Sequence, residues 1–170
     1  MTDQNHQFNK SDPVDPIAMF VARFPRLFRG KFPRTLSSLP HGWIELVTRL
    51  FMDIDALLDD AQARRLEIIQ VKEKFAGLCV YWSLGKEETS VIDIIREDGI
   101  QRLRSYPGNP SEAFAQITAR VGQAEDEAAL TCQRCGNGGA ICNQAGGWLV
   151  TLCETCRASG SPRHQDQDQT

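Results

Sequence analysis

The sequence predicts an α+β fold in which a helical body surrounds one β-hairpin and ends in a C-terminal zinc-ribbon-like module. Three observations support this prediction. Residues 42–66 keep apolar side chains on one helical stripe, whereas residues 67–82 change to the alternation and composition of two strands. Near the C-terminus, two Cys-x-x-Cys pairs are separated by the 17 residues from 136 to 152, a spacing typical of four-cysteine zinc sites.

Length and charge narrow the class of protein. A chain of 170 residues is long enough for one core with a small appendage. The net charge of −3 and the pI of about 5.6 weigh against a domain dedicated to duplex nucleic acid, which usually carries a basic surplus. The first residues lack a signal-peptide pattern, and no stretch reaches the ~18 apolar residues of a membrane span. We therefore expect a cytoplasmic protein without a membrane partner.

Composition sets the predicted boundaries. Residues 1–16 are polar, contain two prolines and show no apolar period, so we predict a disordered leader. Residues 159–170 are equally polar and predict a disordered tail. Between them, we predict the α+β body over residues 17–129 and the zinc-ribbon-like module over residues 130–158.

Within the body, residues 17–32 show helical spacing interrupted by Pro25, which predicts one or two short helices. Residues 42–66 form the predicted central core helix. The hairpin follows over residues 67–82, with its turn expected at residues 72–77 because this charged stretch separates the two strand-like runs.

Two further helices are predicted before the cysteines. Residues 91–103 resume a helical spacing, which the Pro-Gly-Asn-Pro sequence at 107–110 stops. Ser111 is then the predicted N-cap of a helix that continues to Ala124 and leads almost directly into the module.

The module's predicted metal ligands are Cys132, Cys135, Cys153 and Cys156. Each pair is expected to form a knuckle, and Gly136 supplies the flexible residue that follows the first. Strands at residues 140–143 and 148–152 would join the knuckles as a zinc ribbon does. Because four thiolates leave no coordination position open for water, we predict one structural Zn2+ rather than a catalytic one.

Two other cysteines need separate interpretations. Cys79 lies in an apolar run and is predicted to be core. Cys142 lies between the knuckles, and the favoured interpretation is a small buried hydrophobe. Replacement of one of the four ligands by Cys142 stays open. Without metal, residues 130–157 are expected to be unfolded.

Residues 17–44 contain no acidic residue but five basic ones: Arg23, Arg26, Arg29, Lys31 and Arg34. They alternate with four phenylalanines: Phe20, Phe24, Phe28 and Phe32. One hypothesis is a basic, aromatic surface that contacts an acidic partner or nucleic acid. The favoured interpretation is that the rings pack in the core and the cations form a solvated face.

Motifs for catalysis are missing from the sequence. Four aspartates resemble a carboxylate cluster, but on a helix they spread around the polar face: Asp53, Asp55, Asp59 and Asp60. The chain also lacks a recognisable nucleophile motif, a phosphate-binding loop and a dinucleotide-binding loop. We therefore predict a protein that is not an enzyme. A carboxylate enzyme using Glu45 or Asp53 would require a pair that converges in a pocket.

Four segments together carry a family resemblance: Arg23–Phe28, Gly42–Leu46, Gln70–Leu78 (Gln-Val-Lys-Glu-Lys-Phe-Ala-Gly-Leu) and Gly147–Cys153. Over residues 20–157 the chain resembles a family of small uncharacterised proteins from phages, prophages and proteobacteria. Members commonly have Gly, Arg and Phe where this chain has Ala76, Cys79 and Val80. The resemblance implies the same architecture and a mobile-element or accessory context.

These observations lead to two functional expectations. The first is a cytoplasmic interaction protein that binds and modulates another protein, as an immunity protein or a phage-encoded inhibitor does. The alternative is a nucleic-acid-binding zinc-ribbon regulator that uses the basic segment at residues 17–44.

Overall fold

The computed structural model describes residues 16–29, 31–96, 99–145 and 148–159. Apart from Pro16 and Ser159, the predicted leader and tail lie outside the described residues. Gly30, Gly146 and Gly147 are outside them as well. Within the described residues the fold is α+β, as predicted, with a cluster of four cysteines near the C-terminus.

The helices of the described residues are α1 (Pro16–Arg23), α2 (Pro25–Phe28), α3 (Ile44–Leu57), α4 (Asp60–Ala63), α5 (Glu112–Ala128) and α6 (Glu154–Ala158). Two short 3-10 turns, Arg34–Ser38 and His41–Trp43, connect α2 to α3. The predicted start of α5 is confirmed, because the Ser111 hydroxyl accepts a hydrogen bond from the Phe114 N–H.

Within the described ranges, three antiparallel sheets contain the strands β1 (Leu66–Lys74), β2 (Gly77–Leu84), β3 (Glu87–Glu88), β4 (Ser90–Arg96), β5 (Gly99–Ser105), β6 (Ile141–Ala145) and β7 (Trp148–Leu152). The first sheet has the order β1-β2-β3 and includes the predicted hairpin. The other two are the separate hairpins β4-β5 and β6-β7.

The helix predicted over residues 91–103 is wrong, because these residues form β4 and β5. The body therefore contains a second hairpin in addition to the one predicted. Apolar residues at helical intervals were here also β-branched, and such side chains favour strands. The register pairs Ile92 with Leu103 and Asp93 with Arg102. These contacts between strands decide the outcome, and no spacing along one segment reveals them.

The helix predicted over residues 42–66 is shorter than expected. It ends at Leu57, because Asp59 begins α4 with a capping box. The Asp59 carboxylate accepts from the Gln62 N–H at 2.7 Å, and the Gln62 side chain accepts from the Asp59 N–H at 3.0 Å. The turn predicted at residues 72–77 is reduced to Phe75 and Ala76, both left-handed with φ of 54° and 62°.

The hydrophobic core lies where α1, α2, α3 and α5 meet the first sheet. Phe20, Phe24 and Phe28 pack edge-on around Phe51 of α3, with ring centroids 5.2 to 5.8 Å apart. Three of the four phenylalanines in the basic segment are thus core residues, whereas Phe32 is exposed. The core fixes α3, and the residues just before α3 meet the cysteine cluster.

Candidate metal centre

The four predicted ligands lie together. The sulfur atoms of Cys132, Cys135, Cys153 and Cys156 are all within 4.8 Å of one another. Cys132, Cys153 and Cys156 are buried, and Cys135 is exposed. These four cysteines could hold a metal ion. No other such group of three or more Cys, His, Asp or Glu ligands occurs among the described residues.

The spacing of the sulfurs fits tetrahedral coordination. A zinc–sulfur bond of about 2.3 Å places the sulfurs of a tetrahedral site about 3.8 Å apart. The Cys135 and Cys153 sulfurs are 3.6 Å apart. A disulfide needs sulfurs only about 2.05 Å apart, and the cysteines of the cluster are free thiols. The donor set therefore suits a soft or borderline divalent cation.

Local backbone geometry directs each cysteine toward the others. In the first knuckle, the Gly136 N–H donates to the Cys132 carbonyl and the Cys132 N–H donates to the Asn137 carbonyl, both at 2.9 Å. Gly136 has φ of +78°, a conformation that strains any residue with a Cβ. In the second knuckle, Cys153 is the N-cap of α6, and its sulfur accepts from the Cys156 N–H at 3.5 Å.

The surroundings of the sulfurs favour the thiolate form of Cys132 and oppose that of Cys156. Burial opposes charge on Cys132, but N–H groups of Cys153, Cys135 and Arg134 outweigh it and lower the Cys132 pKa to about 6. A hydrogen bond with Cys135, together with burial, raises the pKa of Cys156 to about 12. Without a metal, Cys132 is therefore the sulfur that ionises readily, whereas Cys156 stays a thiol. A bound divalent cation would favour the thiolate form of all four.

The cluster is docked on the body rather than tethered to it. The Gly42 N–H donates to the Gln133 carbonyl at 2.9 Å, and the buried Trp43 indole N–H donates to the Thr131 carbonyl at 2.9 Å. A Cβ on Gly42 would overlap the Cys132 carbonyl oxygen and the Gly136 nitrogen. The turn before α3 therefore needs a glycine where it touches the first knuckle.

A second contact joins the module to the first sheet. The buried Thr151 hydroxyl on β7 donates to the Ala76 carbonyl in the β1-β2 turn at 3.0 Å. Cys142 lies on β6, where it is exposed and outside the cluster. Its interpretation as a buried hydrophobe is wrong, because β6 turns this side chain to solvent. Cys79 is buried in β2, as predicted.

The cations of the basic segment have different surroundings. The Arg26 guanidinium donates to Asp55 at 3.0 Å and to Asp60 at 2.8 Å, which ties α2 to α3 and α4. Arg23 points to the Met52 sulfur at 3.3 Å. Arg29 and Lys31 line a different cleft, and the exposed Arg34 lies in the 3-10 turn that follows.

The four aspartates that resemble a carboxylate cluster in the sequence are divided among separate structural contacts. Asp55 and Asp60 pair with Arg26, and Asp59 caps α4. Asp53 lies 3.9 Å from Arg120 of α5. Asp55, Asp59 and Asp60 thus connect or cap helices. The four aspartates do not converge on a point, as the sequence predicted.

Sequence reasoning missed a polar cluster between β4-β5 and the body. The Asp93 side chain is only 3% exposed, and it accepts from Arg102 and Lys74 at 2.7 Å each. Burial raises the pKa of Asp93, but the hydrogen bonds from Arg102 and Lys74 outweigh it and lower that pKa overall. The signal was an aspartate within an apolar run, which becomes informative only when the segment is known to be a strand.

Comparison with known proteins gives no relative: no family model, no curated protein and no solved structure matches the chain. None of the helices among the described residues is long and apolar enough to cross a membrane.

Proposed function

We propose that the protein is a non-enzymatic, cytoplasmic protein-interaction module stabilised by one structural Zn2+. The ligands in this proposal are the four clustered cysteines, and residues 130–158 form a zinc-ribbon-like module. When bound, zinc would supply a fixed cross-link between the two knuckles. The four thiolates complete a tetrahedral shell, so the metal has no position for substrate or water.

The observation that carries the proposal is the orientation of the β4-β5 hairpin, which turns its charged face toward the body and its apolar face outward. Its inner face is charged, with Asp93 and Arg102 directed at the body. Its outer face is apolar, and the paired side chains of Ile92 and Leu103 are 63% and 45% exposed. A hairpin of a monomer usually buries its apolar face. An apolar outer face suits an apolar surface of another protein.

The zinc-ribbon-like module presents a second apolar surface. Trp148 on β7 is 77% exposed, and Ile141 on β6 and Leu149 on β7 are also exposed. Aromatic side chains with this exposure are frequent anchors of protein interfaces. Both hairpins thus combine a fixed attachment to the body with an apolar surface turned outward.

A cleft of about 890 Å3 beside the exposed Cys135 contains the two carboxylates of Glu45 and Glu127. Both carboxylates pair with Arg49. These ion pairs account for the two acidic side chains in the cleft without catalysis, which agrees with a non-enzymatic role. A partner protein of the kind bound by immunity proteins or phage-encoded inhibitors agrees with this arrangement and with the family resemblance.

The test is affinity purification of the tagged, full-length protein from its own host, with and without nuclease. We expect a nuclease-resistant protein partner that is lost with Ile92→Ser/Leu103→Ser or with Trp148→Ser. Leu130→Ser removes an exposed apolar side chain outside both hairpins and should leave capture unchanged. The proposal would be refuted if both hairpin variants still captured the same partner, or if the protein captured only its own copies.

A further inference from the structure

A cleft of about 410 Å3 lies between the end of α2 and the start of β1. Its buried apolar lining consists of Leu27, Phe28, Pro33, Leu66 and Ile68. The volume falls within the range of about 300 to 1,000 Å3 that small-molecule sites occupy. The cleft therefore has room for a ligand group and is independent of the cysteine cluster.

Four exposed cations line this cleft: Arg29, Lys31, Arg64 and Arg65. Glu67 is the only acidic side chain in its lining. Among the described residues, none of the four cations lies within 4.0 Å of a carboxylate. The whole chain carries −3, so this is a concentrated positive excess on an acidic protein. Such an excess attracts an anionic ligand.

The walls of the cleft are fixed by the fold. Arg26 holds α2 in place, since its guanidinium also donates to the Leu58 carbonyl at 2.7 Å. Arg29 follows in a left-handed conformation with φ of 33°, and its Nε donates to the Arg26 carbonyl at 3.0 Å. A non-glycine residue adopts this conformation at some energetic cost, and such residues cluster at ligand sites.

An aromatic ring and an irregular strand complete the rim. Phe32 is 43% exposed, although Phe20, Phe24 and Phe28 of the same segment are buried. The register of β1 shifts between Ile68 and Gln70, which leaves the intervening Ile69 exposed at the cleft. β-Bulges are frequent beside functional sites. An exposed ring among cations that lack a carboxylate within 4.0 Å suits a base that stacks and a phosphate that binds cations.

We propose that this cleft binds a nucleotide, with its phosphate among Arg29, Lys31, Arg64 and Arg65 and its base against the Phe32 ring. The nucleotide is either free or part of a single strand. This surface differs from the basic segment predicted from sequence, because Arg26 is engaged in ion pairs and the cations of residues 64 and 65 replace it. The proposal stands independently of the protein-interaction proposal.

The test is fluorescence anisotropy with a labelled oligothymidylate of about 10 nucleotides, a length within the site sizes of single-strand-binding folds. The full chain is used with its zinc bound. We expect saturable binding that weakens as salt rises from about 50 to 200 mM. Arg64→Gln/Arg65→Gln should weaken binding by at least about tenfold, since two phosphate contacts are lost. Phe32→Leu should weaken it by about tenfold through lost stacking.

Competition identifies the source of the nucleotide. Thymidine monophosphate that displaces the oligomer at equal nucleotide concentration indicates a free nucleotide, and an oligomer that binds far more tightly indicates a single strand. Either result supports the proposal. Arg120→Gln/Arg157→Gln removes two exposed cations elsewhere and should change affinity by less than about threefold. Circular dichroism checks that each variant is folded. The proposal would be overturned if this control lost as much affinity as the cleft variants or if inorganic phosphate competed as well as the monophosphate. The absence of saturable binding would overturn it as well.

Discussion

The two peripheral hairpins are attached to the body by different kinds of force. The module that contains the β6-β7 hairpin folds around the cysteine cluster and is attached to the body by hydrogen bonds of Gly42 with Gln133 and of Ala76 with Thr151. The β4-β5 hairpin is held to the body by ion pairs, chiefly that of Asp93 with Lys74 of β1 and that of Arg104 with Glu125 of α5. None of its described residues belongs to the buried hydrophobic core. The first attachment should respond to metal, and the second to pH and salt.

The largest expected effect is loss of the metal. Cys153→Ser removes one ligand and the N-cap of α6, so residues 130–158 should unfold and bound zinc should fall well below one ion per chain. Structural zinc contributes about 10–16 kcal/mol at neutral pH, most of the free energy that folds so small a module. Elemental analysis and hydrogen exchange measure the two effects.

Cys142→Ser is the matched control, because Cys142 is exposed and outside the cluster. It should retain one zinc per chain and native exchange. A Cys153→Ser variant with full zinc content would contradict the ligand assignment, and a cluster that loads a different metal would contradict zinc.

Gly42→Ala should produce the next largest effect. The new methyl group would overlap backbone atoms of the first knuckle, which have no flexible end to move away. We expect a loss of about 3 kcal/mol, the upper range for overpacking, measured as a lower midpoint of denaturant unfolding. Gly122→Ala in α5 meets no atom within 4 Å and should gain about 1 kcal/mol. Equal midpoints for the two variants would show that the knuckle is not docked on this turn.

Asp93→Asn tests the ionic attachment of β4-β5. Removing the carboxylate leaves the half-buried Arg102 unpaired and should cost about 3 kcal/mol. The folded pKa of Asp93 is lowered, so its contribution is present above the unfolded pKa of about 3.9 and disappears as the pH falls through the lower folded value. The protection of residues 90–105 against hydrogen exchange, relative to the intrinsic rate at each pH, should therefore fall below about pH 4 in the wild type and should already be low at neutral pH in the variant.

Asp53→Asn provides the control for this experiment. Asp53 is exposed, and its ion pair with Arg120 is long at 3.9 Å. Loss of this carboxylate should therefore change hydrogen exchange very little. Faster exchange throughout the body, rather than in β4-β5 alone, would show that the hairpin is part of the cooperative core and would remove the distinction between the two attachments.

The same contrast explains what the sequence could predict. The cysteine cluster depends on two local spacings, and the N-cap at Ser111 depends on one residue and its neighbours. Both could therefore be predicted from the sequence. The β4-β5 hairpin depends on Asp93 meeting Arg102 and Lys74, which are distant in sequence or on a paired strand. Arg64 and Arg65 join Arg29 and Lys31 only because α2 packs beside β1. Contacts of this kind appear in no periodicity.

The smallest expected effect concerns the turn on which the metal module rests. Ala76 has φ of 62°, which costs a residue with a Cβ about 1 kcal/mol, and its carbonyl accepts from Thr151. Ala76→Gly should raise the free energy of unfolding by about 1 kcal/mol while preserving the hydrogen bond. Thr151→Val removes the donor and should lower stability by about 1–2 kcal/mol. If Ala76→Gly instead accelerates hydrogen exchange across β6-β7, then the rigidity of this turn, rather than its hydrogen bond, positions the module.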